Sequence, residues 1–148
     1  MLEANRNKNI ILHTYSEVDS VDGFIGNYKV VVRKKARYVK ETLCNGCGAC
    51  FPVCPAIGPN EFDEETGPRN AIYRAFAQAV PNVATIDMKR CIKCGLCQKA
   101  CDQNAIDFDM KDELVPLDVG VIIVATGWKE YEPETGYLGY NKFENVIT

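Results

Sequence analysis

The chain has 148 residues, 47% hydrophobic and 25% charged, with a formal net charge of -3 and eight cysteines. A domain of this size buries roughly 70% of the surface its unfolded chain exposes, so it needs no covalent staples and the cysteines must serve another purpose. The longest apolar run, Val119 to Ala125, is interrupted by Gly120 and falls far short of the roughly 20 residues that span a bilayer. The polar N-terminus lacks the apolar region of a secretory signal, which makes a reduced, cytoplasmic setting the expectation. Mild acidity argues against a nucleic-acid partner.

Along the chain, alternating β-branched residues predict strands at 9–14, 16–20 and 28–33, with turns signalled by Asp22-Gly23 and Gly26-Asn27. The segment 71–79, rich in alanine and ending before Pro81, predicts a helix. Residues 113–117 read as a strand pairing back onto the first group. Residues 121–125 are apolar at successive positions, the pattern of a strand covered on both faces and closed by Thr126-Gly127.

The cysteines fall into two blocks that superpose with an offset of 47 residues: Cys44 on Cys91, Cys47 on Cys94, Cys50 on Cys97 and Cys54 on Cys101, with Gly48 on Gly95. An Ala-Ile pair follows each block, Ala56-Ile57 and Ala105-Ile106, so a pseudo-twofold core spans about residues 37–112. Three uses of the thiols compete. Disulfides require an oxidising compartment for which the sequence gives no sign. A structural zinc site would accept Cys44, Cys47, Cys91 and Cys94, but it leaves half of the thiols without a metal unless there are two sites.

The third use takes every cysteine. Cys44-x2-Cys47-x2-Cys50-x3-Cys54-Pro55 is the run that holds [4Fe-4S] clusters in bacterial two-cluster ferredoxins, in which the fourth cysteine of each run ligates the other cluster. A tight loop can cap one face of a cubane with three thiolates while a distant fourth closes it, and Gly46, Gly48 and Gly95 let such a loop wrap closely. Cluster I is thus expected on Cys44, Cys47, Cys50 and Cys101, and cluster II on Cys91, Cys94, Cys97 and Cys54. Ile57, Ile86, Ile92, Leu96, Ile106 and Phe108 are the apolar residues expected to shield them. Asp102 stands after Cys101 in place of the usual proline, bringing a carboxylate expected to lower the potential of cluster I.

The whole chain, flanks included, resembles the A-type iron-sulfur subunit of heterodisulfide reductase. The matching stretches include Gly26-Asn27-Tyr28-Lys29-Val30, Arg33 to Val39, Pro59 to Asp63, Gln78-Ala79-Val80-Pro81-Asn82 and Val119 to Gly127. The resemblance implies an α+β chain. A ferredoxin-like 2[4Fe-4S] domain (37–112) would be inserted between strands of a truncated, thioredoxin-reductase-like flavoprotein β-meander (1–36 and 113–148). It implies single-electron relay between a flavin and other oxidoreductase subunits or electron donors, with no substrate chemistry in this chain. Binding a flavin pyrophosphate needs a Gly-rich turn between strand and helix, and the only approach to one, Gly46-x-Gly48, lies inside a cysteine block. The chain therefore reads as a fragment, with FAD expected only in a longer parent. A stand-alone ferredoxin carrier and a zinc-bound structural module are the alternatives.

The remaining candidates have plain uses. His13 is expected in a core or at a strand edge, the basic run Arg33 to Arg37 as a solvated strand end, and the acidic stretch Glu61 to Glu65 as a solvated loop. Trp128 is expected to cap the sheet.

Overall fold

A computed structural model describes residues 2–127 and 132–146. Among these are strands β1 (Ser16–Phe24), β2 (Asn27–Lys34), β3 (Ile57–Pro59), β4 (Pro68–Asn70), β5 (Ile72–Tyr73), β6 (Thr85–Ile86) and β7 (Glu113–Val119). Two short helices join them, α1 (Leu2–Arg6) and α2 (Leu96–Lys99). Trp128 lies outside the described residues.

The flanks build one antiparallel sheet of order β1-β2-β7. β2 lies in its centre, with Val30 and Val32 buried. Val30 sits opposite Val21 on one side and Leu117 on the other, so the two flanks of the chain meet through this strand. The hairpin turn falls at Ile25-Gly26, later than Asp22-Gly23 suggests. Gly23 instead lies inside β1 opposite Tyr28, at φ +98, where a side chain would run into the backbone of Asn27.

Four expectations are corrected here. Residues 9–14 form no strand, and Ile11 is 80% exposed: the segment pairs with none of the described strands, and apolar propensity without a ladder does not make one. His13 is accordingly an exposed residue in an irregular segment, neither core nor strand edge. Residues 121–125 are likewise no strand, and Ile123 is 86% exposed: the segment pairs with no described strand and only borders the face of the β1-β2-β7 sheet, where Val121, Ile122 and Val124 share a cavity with Val18, Val21, Val30, Leu117 and Val119. Residues 71–79 do not form a helix. Ala71 and Ile72 are buried in the core, and β5 pairs with β6, placing Ile72 opposite Ile86; tertiary pairing overrides the helical tendency of alanine.

The chain between β2 and β7 folds around the two cysteine blocks. Its core is Val39, Ile72, Ala84, Ile86, Cys97, Ala105 and Ile106. The repeat is visible in the hydrogen bonds. Val39 bridges Ile106 as Ile86 pairs with Ile72, and Ala71 and Ala105 each accept a backbone N–H, from Asp87 and Lys40 respectively. Ala71-Ile72, not Ala56-Ile57, is therefore the counterpart of Ala105-Ile106. Ile57 is 64% exposed, at the start of a hairpin formed by β3 and β4 that interrupts the first half of the repeat.

Each cation of the basic run has a carboxylate partner, with Glu41 shared between two of them. Arg33 pairs with Asp19, Lys34 with Glu41 at 3.6 Å, Lys35 with Glu17 at 2.7 Å and Arg37 with Glu41 at 2.9 Å. The Lys35 ammonium, hydrogen-bonded to Glu17, holds that carboxyl below its ordinary range. The acidic stretch forms a short 3-10 turn, Glu61–Asp63, whose Glu61 joins Asp87 in pairing with the buried Arg69.

Candidate metal centre

Each cysteine block starts from a backbone turn of the same design. Leu43 and Cys44 both donate to the Lys40 carbonyl, and Arg90 and Cys91 donate to that of Asp87, 47 residues on. The loops then pass through left-handed conformations at matched positions: Gly46 (φ +71) with Lys93 (φ +55), and Gly48 (φ +81) with Gly95 (φ +77). These reversals keep the first three thiols of each block within one short loop. At the end of each block Cys54 donates its N–H to Phe51 and Cys101 to Gln98, again equivalent positions.

The fold sorts the eight thiols into two groups. A cavity of about 110 Å³ is bordered by Cys44, Cys47 and Cys50 together with Cys101, which arrives from the other block. A second, tighter cavity of about 10 Å³ is bordered by Cys91, Cys94 and Cys97 together with Cys54. The crossover follows from the pairing of Val39 with Ile106 and of Ile72 with Ile86, which carries the end of each block to the start of the other. Burial pushes the Cys50 thiol up to about 12, with Cys44, Cys101 and Cys47 adding to the effect. Burial also raises Cys97, with contributions from Cys91, Cys54 and Cys94. Each buried thiol thus feels the members of its own group.

The donor set suits iron-sulfur clusters. Thiolates are their usual ligands, and the sulfurs here also receive backbone N–H groups: Lys93 donates to Cys91 Sγ and Ala105 to Cys101 Sγ, both at 3.4 Å. Among the described residues no three His, Cys, Asp or Glu side chains are grouped to hold a single metal ion. Thiols ranged around a cavity match a ligand with several metal corners better than a lone tetrahedral ion.

The apolar surroundings are less complete than expected. Ile86 and Ile106 are buried and Phe108 packs against the core, whereas Ile92 is 65% exposed and Leu96 43%. Ile57 belongs to neither cavity's inner wall. Conversely, Arg74, Asn82, Val83 and Ala84 were not legible as site residues. Arg74, Val83 and Ala84 line the first cavity, and Asn82 touches its loop at Gly46. Their only signal is position, just past and just before the paired β5 and β6.

The fold and the paired cavities define a two-cluster ferredoxin-like electron-transfer module, and residues 43–106 match the 4Fe-4S dicluster domain family. Eight cysteines in that domain provide for two [4Fe-4S] clusters. Over its whole length the chain is 52% identical to the A-type iron-sulfur subunit of the CoB--CoM heterodisulfide reductase of Methanocaldococcus jannaschii, 23% of whose length it covers. It is also 52% identical to an iron-sulfur subunit of the same type from Methanopyrus kandleri, again covering 23% of that protein. It is 49% identical to the corresponding subunit of the H(2):CoB-CoM heterodisulfide,ferredoxin reductase of Methanothermobacter marburgensis, with 23% covered. The chain belongs to this family of heterodisulfide reductase iron-sulfur subunits and spans about a quarter of the length of these relatives. No helix among the described residues is long and apolar enough to cross a membrane.

Proposed function

We propose that the chain is the electron-relay segment of a heterodisulfide reductase-like complex, carrying electrons singly through two [4Fe-4S] clusters. Cys44, Cys47, Cys50 and Cys101 hold cluster I, and Cys91, Cys94, Cys97 and Cys54 hold cluster II. The single observation that carries this is the partition of the thiols into two groups, each with three from one block and one from the other.

When bound, the clusters accept and release one electron each without breaking bonds. The protein's part is to hold them close together in a shared core and to limit water around them. The N–H donors from Lys93 and Ala105 stabilise charge on the sulfurs, which favours the reduced form. Side chains with acid-base or nucleophilic work are not required, since every cysteine serves as a ligand.

Residues 37–112 form the relay domain, and residues 1–36 and 113–148 are strands of a flavoprotein-type β-meander into which it is inserted. The pairing of β2 with β7 across the relay domain supports this arrangement. The relatives' names point to a CoB-CoM heterodisulfide and to ferredoxin as what the whole proteins act on. In a longer parent the clusters would pass electrons between its FAD and partner subunits or donor proteins, in the cytoplasm, away from membrane and nucleic acid.

Anaerobic reconstitution with iron and sulfide, followed by metal analysis and EPR of the reduced chain, tests the relay. About eight Fe per chain with spin-coupled reduced clusters is expected. Two or fewer metals and no EPR signal would indicate a zinc module instead.

A further inference from the structure

We propose that Arg74 is a positioning residue for the cluster I site and that its charge makes cluster I the higher-potential member of the pair, the one reduced first. The inference rests on the ligand sets proposed above.

Arg74 follows β5 directly and lines the first cavity, half-buried. Its Nη1 donates to the Gly46 carbonyl at 3.3 Å and to Asn82 Oδ1 at 2.6 Å. Gly46 lies between Cys44 and Cys47, and a Cβ there would come within 2.6 Å of Asn82 Nδ2. Arg74 and Asn82 together therefore grip the loop that presents two of the four thiols. Among the described residues the other half of the repeat has no such grip. Lys93, in the place of Gly46, is exposed, and beyond its cysteines the second cavity is lined only by alanine, isoleucine, glycine and phenylalanine.

Reduction adds one electron, from a low-potential donor, to a site that already carries four thiolates and takes up no proton in exchange. A fixed cation beside it stabilises the reduced form, and does so more strongly where it is withdrawn from water. Asp102 also borders the first cavity and acts in the opposite sense. It is exposed, so solvent screens it more than the anchored, half-buried guanidinium.

The test uses the fully loaded chain, poised anaerobically at a series of potentials with dithionite as reductant. Hyperfine-shifted cysteine Hβ resonances are assigned to a cluster by their NOEs to Val83, at the first cavity, or Phe108, at the second. The Val83-linked set should become reduced first. Arg74→Gln should lower the reduced-to-oxidised ratio of that cluster about tenfold at a given potential, ~59 mV for one electron, and leave the other in place. Arg74→Lys, which keeps the charge, should restore most of the shift. The inference is overturned if the Phe108-linked set leads in the parent chain, if Arg74→Gln moves both clusters equally or neither, or if Arg74→Lys behaves as Arg74→Gln does. The order in the parent decides the matter even if a variant fails to load. A parent chain that binds two or fewer metals overturns the ligand sets themselves, whereas about eight Fe with the reverse order overturns only the role of Arg74.

Discussion

Val39 bridges Ile106, so the segment entering the first cysteine block is hydrogen-bonded to the segment leaving the second. Lys40 donates to Ala105 at 2.7 Å and Asp107 to Tyr38 at 3.0 Å. The pairing of Ile72 with Ile86 repeats the relation on the other side. Among the described residues the two blocks share one core, and each brings its last cysteine to the cavity bordered by the other's first three.

Ile72 and Ile57 offer a direct test of which Ala-Ile pair belongs to the repeat. Ile72 is 1% exposed and Ile57 64%. Ile72→Ala should cost about 2–5 kcal/mol in anaerobic denaturant unfolding of the loaded chain. Ile57→Ala should stay within about 0.5 kcal/mol. Equal costs would mean that the β3-β4 hairpin is not an interruption of the repeat.

Arg69 is 7% exposed and pairs with Asp87 at 3.2 Å and Glu61 at 3.3 Å, while its guanidinium stacks on the Tyr73 ring at 3.7 Å. Asp87 opens the turn that delivers Cys91. Arg69→Met leaves Asp87 without its buried cation and should destabilise the chain by about 3–5 kcal/mol, the range for breaking a buried pair. The exposed pair of Arg33 and Asp19 is the contrast: Arg33→Met should cost about 0–1 kcal/mol by the same measurement.

Gly46 and Lys93 occupy matched left-handed positions under unequal constraint. Gly46→Ala adds about 1–2 kcal/mol of backbone strain and a clash with Asn82, so reconstitution should yield less cluster I while cluster II is retained. Lys93→Gly relieves strain at the cost of unfolded-chain entropy, and iron content should stay at the parent's value.

Asp102→Asn should raise the potential of the Val83-linked cluster, because it removes a carboxylate at the rim of the first cavity. The shift should be smaller than the opposite one produced by Arg74→Gln, given the exposure of Asp102. An unchanged potential in potentiometric titration would show that solvent screens the carboxylate completely.

The site was far more legible than the frame around it. The spacing Cys44-x2-Cys47-x2-Cys50-x3-Cys54 and its copy at Cys91 encode a ligand geometry that few other uses of thiols require, so sequence alone grouped the residues that line each cavity. β2 was legible as a β-branched run with a partner on each side, and β7 as the edge strand that pairs back onto it. The misread segments share a physical cause: 9–14, 71–79 and 121–125 have strong local tendencies, and long-range pairing decides their fate. Ile72 was drawn into a strand by Ile86, while Ile11 and Ile123 found no strand to join. Arg74 escaped notice because one of its partners, the Gly46 carbonyl, is backbone, and the other, Asn82, is eight residues away with no periodicity that links the two.

The relay stands on the crossover of the fourth ligands, which is probed by replacing Cys101 with serine and recording the hyperfine-shifted NMR spectrum of the reconstituted chain. The cluster whose cysteine protons show NOEs to Val83 should be lost or altered, while the one seen by Phe108 keeps its parent spectrum. Perturbation confined to the Phe108-linked cluster would overturn the crossover, since Cys101 would then close the cluster of its own block.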